Sequence, residues 1–510
     1  MSSSTTFAPL PLLLTLAGHD PTGGAGLTTD LTAWQAMDCK GASVCTALTV
    51  QNAQGVQQVL PTAVPVLRAA LAALMAEAQP AAVKVGMLGD ADVAAEVASF
   101  CAAFTDGPVV WDPVLAASAG GVPLLQAGAG ALAAMARAAT VITPNRVEAA
   151  QLLGLPAWSD GGAMPPGWLA AMRARWLGQG RTQAVVLKGG HAQGAHSVDW
   201  LVTRDSAQAF AVPRLAHGAH GTGCLYGAAL AAMLAQGWSV ADAAAEAQWR
   251  THAGIAQAWR AEPEARPLVN PAATLNSGSF PQRPATHDLP QTDPSPFAPL
   301  AAPPGFYPIL PDADWALRVL DWGARTLQLR IKDLQGAALR ADIARVAEAA
   351  RQAGAQLFVN DHWREALDAG AYGVHLGQED LQTADLAALH ATGMRLGVST
   401  HTPGEMARAH ALAPSYIALG PVYPTTLKVM PYRPLGLPRL ADWAARCHPR
   451  YPTVAIGGIS LERAPGVMAA GADGYAVVSA VTQAADPQAA VRRGLAIAQQ
   501  ALDCRAAAAA

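Results

Sequence analysis

Charge is scarce in this sequence, and lysine scarcer still. Only 14% of the 510 residues are charged, and 34 Lys plus Arg against 37 Asp plus Glu leave a formal net charge of −3. That balance excludes a basic nucleic-acid face and an electrostatic membrane anchor. No uninterrupted apolar run reaches the roughly 18 residues that a transmembrane helix needs. The early run PLPLLLTLAG has no basic residue before Lys40 and leads into a glycine-rich loop, so it reads as a buried first strand rather than a signal peptide. Six cysteines (39, 45, 101, 224, 447 and 504) show no C-x-x-C or other metal spacing, and a chain of this size needs no disulfide staples. A reducing cytoplasm fits, and a homo-oligomer stays open.

What is present points to several domains, since 510 residues at 52% hydrophobic content exceed one core. Residues 271–304 hold nine of the 38 prolines without an apolar period, which is a linker composition. Before it, PLLLTLAG, AAVKVGML, PVVWDPV, TVITPN and AVVLKGG alternate with alanine-rich helical stretches, so a parallel sheet covered on both faces is expected. After it, FYPILP, TLQLRIK, QLFVND, YGVHLG, RLGVST, YIALGPVY, TVAIGG and GYAVVS recur with helical segments between. Eight such strands in about 200 residues predict a TIM barrel with its site at the C-terminal strand ends. Those ends carry Lys332, Asn360 with Asp361, His375, Ser399, Thr425, Gly458 and Ser479, a concentration that loop solubility does not explain. Basic residues comprise 29 arginines and five lysines. Lys188, Lys332 and Lys428 each stand where a strand runs out into a loop, where a compact ammonium suits phosphate; Lys40 and Lys84 complete the five, and Lys40 reads as chance placement.

The segment HGTGC, residues 220–224, opens an alanine-rich helix. Gly221 and Gly223 free its first amides for an anion, and a thiol at Cys224 would be acidified by the helix dipole. Taken alone, the pentapeptide reads more readily as a small buried cysteine beside a glycine turn than as a reactive one. AGHDPTGGAGLTTDL (17–31) lacks the Lys and Ser/Thr of a P-loop. Together with TALTVQN, VGML, WDPV, TPNRVEA and VVLKGGH, however, these segments resemble the hydroxymethylpyrimidine and phosphomethylpyrimidine kinases of the ribokinase superfamily over residues 10–260. The resemblance implies a ribokinase-like αβα sandwich and ATP as co-substrate. It makes Cys224 the catalytic base above the anion hole of Gly221 and Gly223, and sets Asp30 and Gln51 at the pyrimidine edge with Gly18, Met87 and Val114 shaping the pocket. It places Asn145, Glu148 and Asp112 near magnesium and phosphate, and Lys188 by the nucleotide phosphates. His19 beside Asp20, and Leu225-Tyr226 after the cysteine, depart from the family pattern.

LQLRIKD, LFVNDHWREA, YGVHLGQEDL, RLGVSTH, YIALGPVYPT, VAIGGIS and AVVSAVTQAADP resemble thiamine-phosphate synthase over residues 306–502. By that resemblance the run Gln328, Leu329, Arg330, Ile331, Lys332, with Asn360, His375, Ser399 and Lys428, holds a pyrimidine diphosphate. Asp361 and Asp380 ligate Mg²⁺, Lys428 is catalytic, and Thr425, Thr426, Leu427, Gly458, Val478 and Ser479 form the thiazole-phosphate side. Leu427 stands where the family carries a second threonine, so one hydroxyl donor is missing unless Thr426 supplies it.

The expected organisation is a kinase over 1–270, a linker over 271–304 and a synthase over 305–505, all of it α/β. The kinase product would be the synthase substrate, which predicts a bifunctional enzyme of thiamine biosynthesis working on small molecules, with no nucleic-acid or membrane partner. Two rivals stay open: a barrel that binds thiamine phosphate without catalysis, and a first domain acting on pyridoxal.

Overall fold

The computed structural model describes residues 10–52, 55–116, 124–126, 128–158, 163–190, 192–260, 266–283, 295–425 and 433–509. The chain divides into two compact units, residues 1–275 with 279–291, and residues 276–278 with 292–510. Among the described residues, no helix is long and apolar enough to cross a membrane.

The strands of the first unit are β1 (Leu12–His19), β2 (Lys40–Asn52), β3 (Gly55–Pro61), β4 (Ala82–Val85), β5 (Gly89–Asp90), β6 (Val109–Trp111), β7 (Leu125–Gln126), β8 (Val141–Ile142), β9 (Ala184–Leu187), β10 (His196–Thr203) and β11 (Ala207–Pro213). β5 and β7 pair with each other; the other nine form one sheet in the order β11-β10-β9-β8-β6-β4-β1-β2-β3. Its centre is parallel, as the apolar runs require. Its margins are not, for β2–β3, β9–β10 and β10–β11 run antiparallel. The connections there are too short for a crossover, so the chain can only double back, and an all-parallel sheet is corrected to a mixed one. The side-chain alternation of β1 separates the two faces. Leu14 and Leu16 join the core formed with Leu67, Val93, Val97 and Met135 from one helix layer, while Thr15 points to the opposite layer, where it donates to Asp30 of the Gly26–Gln35 helix at 2.6 Å. Helices lie on both faces, so the architecture is an αβα sandwich.

Part of the proline-rich stretch packs into this unit. Phe280 is 1% exposed and stacks on Trp249 with ring centroids 4.1 Å apart. The Trp249 Nε1–H donates to Ser279 Oγ at 3.1 Å, and Gln282 exchanges two backbone bonds with Ala211 at 2.7 and 2.9 Å. Residues 284–294 lie outside the described residues.

In the second unit, β12 (Gly305–Leu310), β13 (Thr326–Leu329), β14 (Gln356–Asn360), β15 (Gly373–Leu376), β16 (Arg395–Thr400), β17 (Tyr416–Leu419), β18 (Thr453–Ala455) and β19 (Gly474–Val477) close into a parallel barrel in sequence order. It is the TIM barrel expected from the sequence, closed by Phe306 against Tyr475 in register. Aromatic rings fill part of its interior: Tyr307, Phe358 and Tyr416 cluster, the last two with centroids 5.0 Å apart. Glycines make room for them. A Cβ on Gly373 would stand 2.6 Å from the Phe358 ring, and one on Gly397 would collide with the hydroxyl end of the Tyr416 ring.

Replacing Phe280 with Ala is expected to destabilise the first unit by about 3 kcal/mol, the usual cost of emptying a packed aromatic site. Urea titration of the full chain, read by kinase activity and tryptophan fluorescence, measures this; a wild-type midpoint would mean that the stretch packs without holding.

Candidate active sites

The first site forms where the central strands end. A cleft of about 950 Å³ is lined by Gly18, Gln51, Met87, Asp112, Val114, Asn145, Glu148, Lys188, Gly223, Cys224 and Gly221, eleven of the twelve residues named from the sequence for this domain. The helix Thr222–Ala235 begins beneath it, with Gly221 at φ 84° serving as N-cap. Only glycine fits there, because a side chain would collide with the Gly24 carbonyl as well as meeting a left-handed backbone. A Cβ on Gly223 would lie 3.3 Å from both Asp112 Oδ2 and Lys188 Nζ, so its absence leaves the helix start open to that ion pair. Lys188 Nζ donates to Asp112 Oδ1 at 2.6 Å. Burial opposes its charge, but Asp112 and Glu148 outweigh burial and hold the ammonium on.

The N-x-x-E motif is a reciprocal cap. Glu148 N–H donates to Asn145 Oδ1 at 2.9 Å, and Asn145 N–H donates to Glu148 Oε2 at 2.7 Å, which starts the helix Arg146–Leu153. Because it is buried and next to Asp112, the Glu148 carboxyl sits above the usual carboxylate range, with Lys188 opposing.

Two expectations are corrected here. Asp30 does not line the cleft; it is fully buried and receives Lys84 Nζ at 2.8 and 3.0 Å. Its carboxylate is committed to that ammonium, so the buried pair forms a floor and not a substrate contact. Cys224 is not acidified: burial pushes its thiol up to about 11, with Lys84 opposing and Asp30 and Asp112 reinforcing. Its sulfur accepts the Gly26 N–H at 3.3 Å. Loss of hydration outweighs the helix dipole and the lysine together.

Lys84, Asp20 and His220 also belong to this site, though the sequence assigned them no role there. His220 Nε2 lies 2.9 Å from Asp20 Oδ2, and although burial works against the charge, donors from His220, Gln51 and Thr22 depress the Asp20 carboxyl to about 2. Lys84 had a visible signal, a charge inside the apolar run AAVKVGML. Asp20 and His220 had none, because their pairing spans 200 positions.

The second site lies on the barrel rim. Gln328 is buried and its Nε2 points at Tyr307 Oη at 3.4 Å, inside the barrel, and Arg330 follows it at the same period. Leu329 and Ile331 are buried at the alternate positions. They are corrected from ligand contacts to packing residues, since strand alternation turns their side chains away from Gln328 and leaves only backbone for a ligand. Lys332 is exposed beyond them. Asn360 ends β14, and Asp361 follows with φ 63°, a conformation that a non-glycine residue holds only under constraint. Desolvation and the neighbouring Asp380 carboxylate raise the Asp361 carboxyl, with Arg330 opposing. Asp380 Oδ2 accepts the Gly377 N–H at 3.2 Å. His375 bridges Tyr416 Oη at 2.7 Å and Ser399 Oγ at 2.8 Å; burial presses its pKa to about 4. On the far rim stand Thr425, Gly458 (φ 65°), Val478 and exposed Ser479. Arg463 donates to the Gly458 carbonyl at 2.7 Å and covers the Tyr423 ring at 4.5 Å. Thr426, Leu427 and Lys428 lie outside the described residues.

Two family models match the chain: phosphomethylpyrimidine kinase over residues 20–269 and thiamine monophosphate synthase over residues 308–481. The thiamine-phosphate synthase of Neisseria meningitidis serogroup B is 53% identical over 196 residues, covering 38% of this chain and 95% of that protein. That of Salmonella typhimurium is 54% identical over 194 residues, covering 38% and 92%. Among solved structures, a pyridoxal kinase from Staphylococcus aureus in complex with ADP shows 27% identity over 52% of this chain and 95% of its own, with a TM-score of 0.46. A phosphomethylpyrimidine kinase from Clostridium difficile shows 28% over 46% and 94%, with a TM-score of 0.39. The chain therefore belongs to the thiamine monophosphate synthase family through its barrel and carries a phosphomethylpyrimidine kinase domain ahead of it, which makes it a bifunctional transferase of thiamine biosynthesis.

Proposed function

We propose that the first site phosphorylates hydroxymethylpyrimidine and then its monophosphate from ATP, and that the barrel joins the resulting diphosphate to thiazole phosphate with release of pyrophosphate. The observation that supports the kinase reading best is the meeting of Cys224, the open helix start at Gly223 and the Lys188–Asp112 pair in one cleft. The substrate oxygen attacks the terminal phosphorus, its bond to the ADP oxygen breaks, and the substrate proton passes to the Cys224 sulfur. Amides at the helix start and Lys188 take up the charge spreading over the transferred group. Gln51, which donates to Asp20, is held with its carbonyl oxygen for a ring amine, between Gly18, Met87 and Val114.

In the barrel, Arg330, Lys332, Asn360, Ser399 and Lys428 bind the diphosphate, and the far rim takes the thiazole phosphate. Asp361 and Asp380 suit a divalent cation: desolvation and the neighbouring Asp380 carboxylate raise the proton affinity of Asp361 until positive charge arrives. Among the described residues no cluster of three or more His, Cys, Asp or Glu side chains stands ready for a metal, so diphosphate oxygens and water would complete the shell. Bound Mg²⁺ would supply neutralisation of the departing diphosphate. The pyrimidine methyl carbon loses its bond to that oxygen, and the thiazole nitrogen forms the new one.

Cys224→Ala is expected to remove kinase turnover while leaving the synthase reaction on supplied diphosphate intact. Since only the thiolate accepts a proton and the thiol is raised to about 11, wild-type kcat should still be climbing, by up to tenfold per pH unit, at pH 9. A flat profile from pH 7 to 9, or a near-normal mutant, would return the cysteine to packing. For the barrel, Asp361→Asn should raise the Mg²⁺ concentration needed for half-maximal synthase rate by roughly tenfold or more; an unchanged Mg²⁺ titration would remove Asp361 from the metal.

A further inference from the structure

Five side chains form one hydrogen-bonded line from the barrel interior to the rim. Gln328 Nε2 lies 3.4 Å from Tyr307 Oη, which lies 2.9 Å from Tyr416 Oη. Tyr416 Oη lies 2.7 Å from His375 Nδ1, and His375 Nε2 lies 2.8 Å from Ser399 Oγ. Ser399 is the partly exposed member of the line; Gln328, Tyr307, Tyr416 and His375 are buried.

The donors and acceptors of such a line have one consistent direction once an end is fixed. An amide nitrogen can only donate, so Tyr307 oxygen accepts from Gln328; the line runs outward when the single Tyr307 proton goes to Tyr416, the hydroxyl 2.9 Å away. Tyr416 has then only His375 Nδ1 to donate to. A neutral imidazole that accepts at Nδ1 carries its proton on Nε2 and gives it to Ser399 Oγ. The serine proton is thereby turned out of the line. The other end agrees, because an oxygen facing a diphosphate has to donate. The geometry is also stiff: the Tyr416 ring occupies the space left by Gly397, two residues before Ser399 on the same strand, and packs edge-on against Phe358.

We infer that Tyr416 and Tyr307 are positioning residues, which hold His375 as its Nε2–H tautomer and so make the Ser399 hydroxyl an obligate hydrogen-bond donor to an oxygen of the pyrimidine diphosphate. The inference rests on the reading that Ser399 faces that diphosphate. The line contributes no proton to the reaction; it removes the alternative in which the serine points its lone pair at an anion.

The test uses the full chain, with the circular dichroism and thermal unfolding of each variant reporting on the barrel and kinase activity reporting on the first unit. Nitrogen-15 spectra of histidine-labelled protein, with His375→Gln for assignment, should show the Nε2–H tautomer in the wild type and a mixture in Tyr416→Phe. The same variant should lose roughly 10- to 100-fold in synthase kcat, with KM for thiazole phosphate and kinase turnover unchanged, and Tyr307→Phe should move the same way by less. An Nδ1–H tautomer in the wild type, or Tyr416→Phe turning over within about twofold of it, overturns the inference. Ser399→Ala separates the two claims. If that variant turns over normally, the placement of Ser399 at the diphosphate falls and takes the relay with it; if it is impaired while Tyr416→Phe is not, the placement stands and the relay alone is wrong.

Discussion

A parallel strand has to be followed by a crossover that returns to the start of its neighbour, so every strand of a parallel sheet delivers its C-terminal end to the same edge. Both active sites rest on that constraint. In the first unit it gathers the ends of β1, β4, β6, β8 and β9, which bring Gly18, Met87, Asp112, Asn145 and Lys188 to one cleft from positions spread over 170 residues. In the second it sets Arg330, Asn360, His375, Ser399 and Gly458 around one rim. The antiparallel margins of the first sheet do not break the rule, since β2–β3 and β10–β11 only extend the walls.

The two units solve different electrostatic problems. The kinase cleft keeps its charges in compensated pairs, Lys84 with Asp30 at 2.8 Å and Lys188 with Asp112 at 2.6 Å, while Asp20 is hydrogen-bonded to His220 at 2.9 Å. Removing one partner of a fully buried pair strands the other and costs about 3–5 kcal/mol, which explains why Lys84, with no route to solvent, tolerates its position only with Asp30 beside it. That pair also lies next to Cys224, where its two charges act in opposite directions and desolvation decides the outcome.

The barrel places neutral groups on its axis and reserves charge for the rim. Tyr307, Tyr416 and His375 are hydrogen-bonded below, while Asp361 and Asp380 adjoin above, with the Arg330 charge acting on Asp361. A carboxylate pair of that kind is poised for an ion that arrives with its substrate. The strained backbone at Asp361 is consistent with a group held in place for a ligand and not for the fold.

Much of this was legible in the sequence. Apolar runs marked the eight barrel strands and the parallel core of the kinase sheet because burial on both faces leaves a local imprint. The glycines of HGTGC announced a helix start that no larger residue could make at Gly221, and Lys188, one of the strand-end lysines, does line the cleft. The hairpin strands β3, β10 and β11 were not read, since their alternation is weaker and their pairing depends on neighbours. What only the tertiary structure decided is how the side chains of each motif are buried and partnered. Asp30, by sequence a substrate contact, is taken by Lys84; Leu329 and Ile331 turn outward by strand alternation; residues 279–283, by composition a linker, pack on Trp249. The state of Cys224 was likewise undecidable from its helix start. A dipole and a nearby charge are local features that a sequence can announce, whereas desolvation sums over every atom the fold brings around a group, and here that sum is the larger effect.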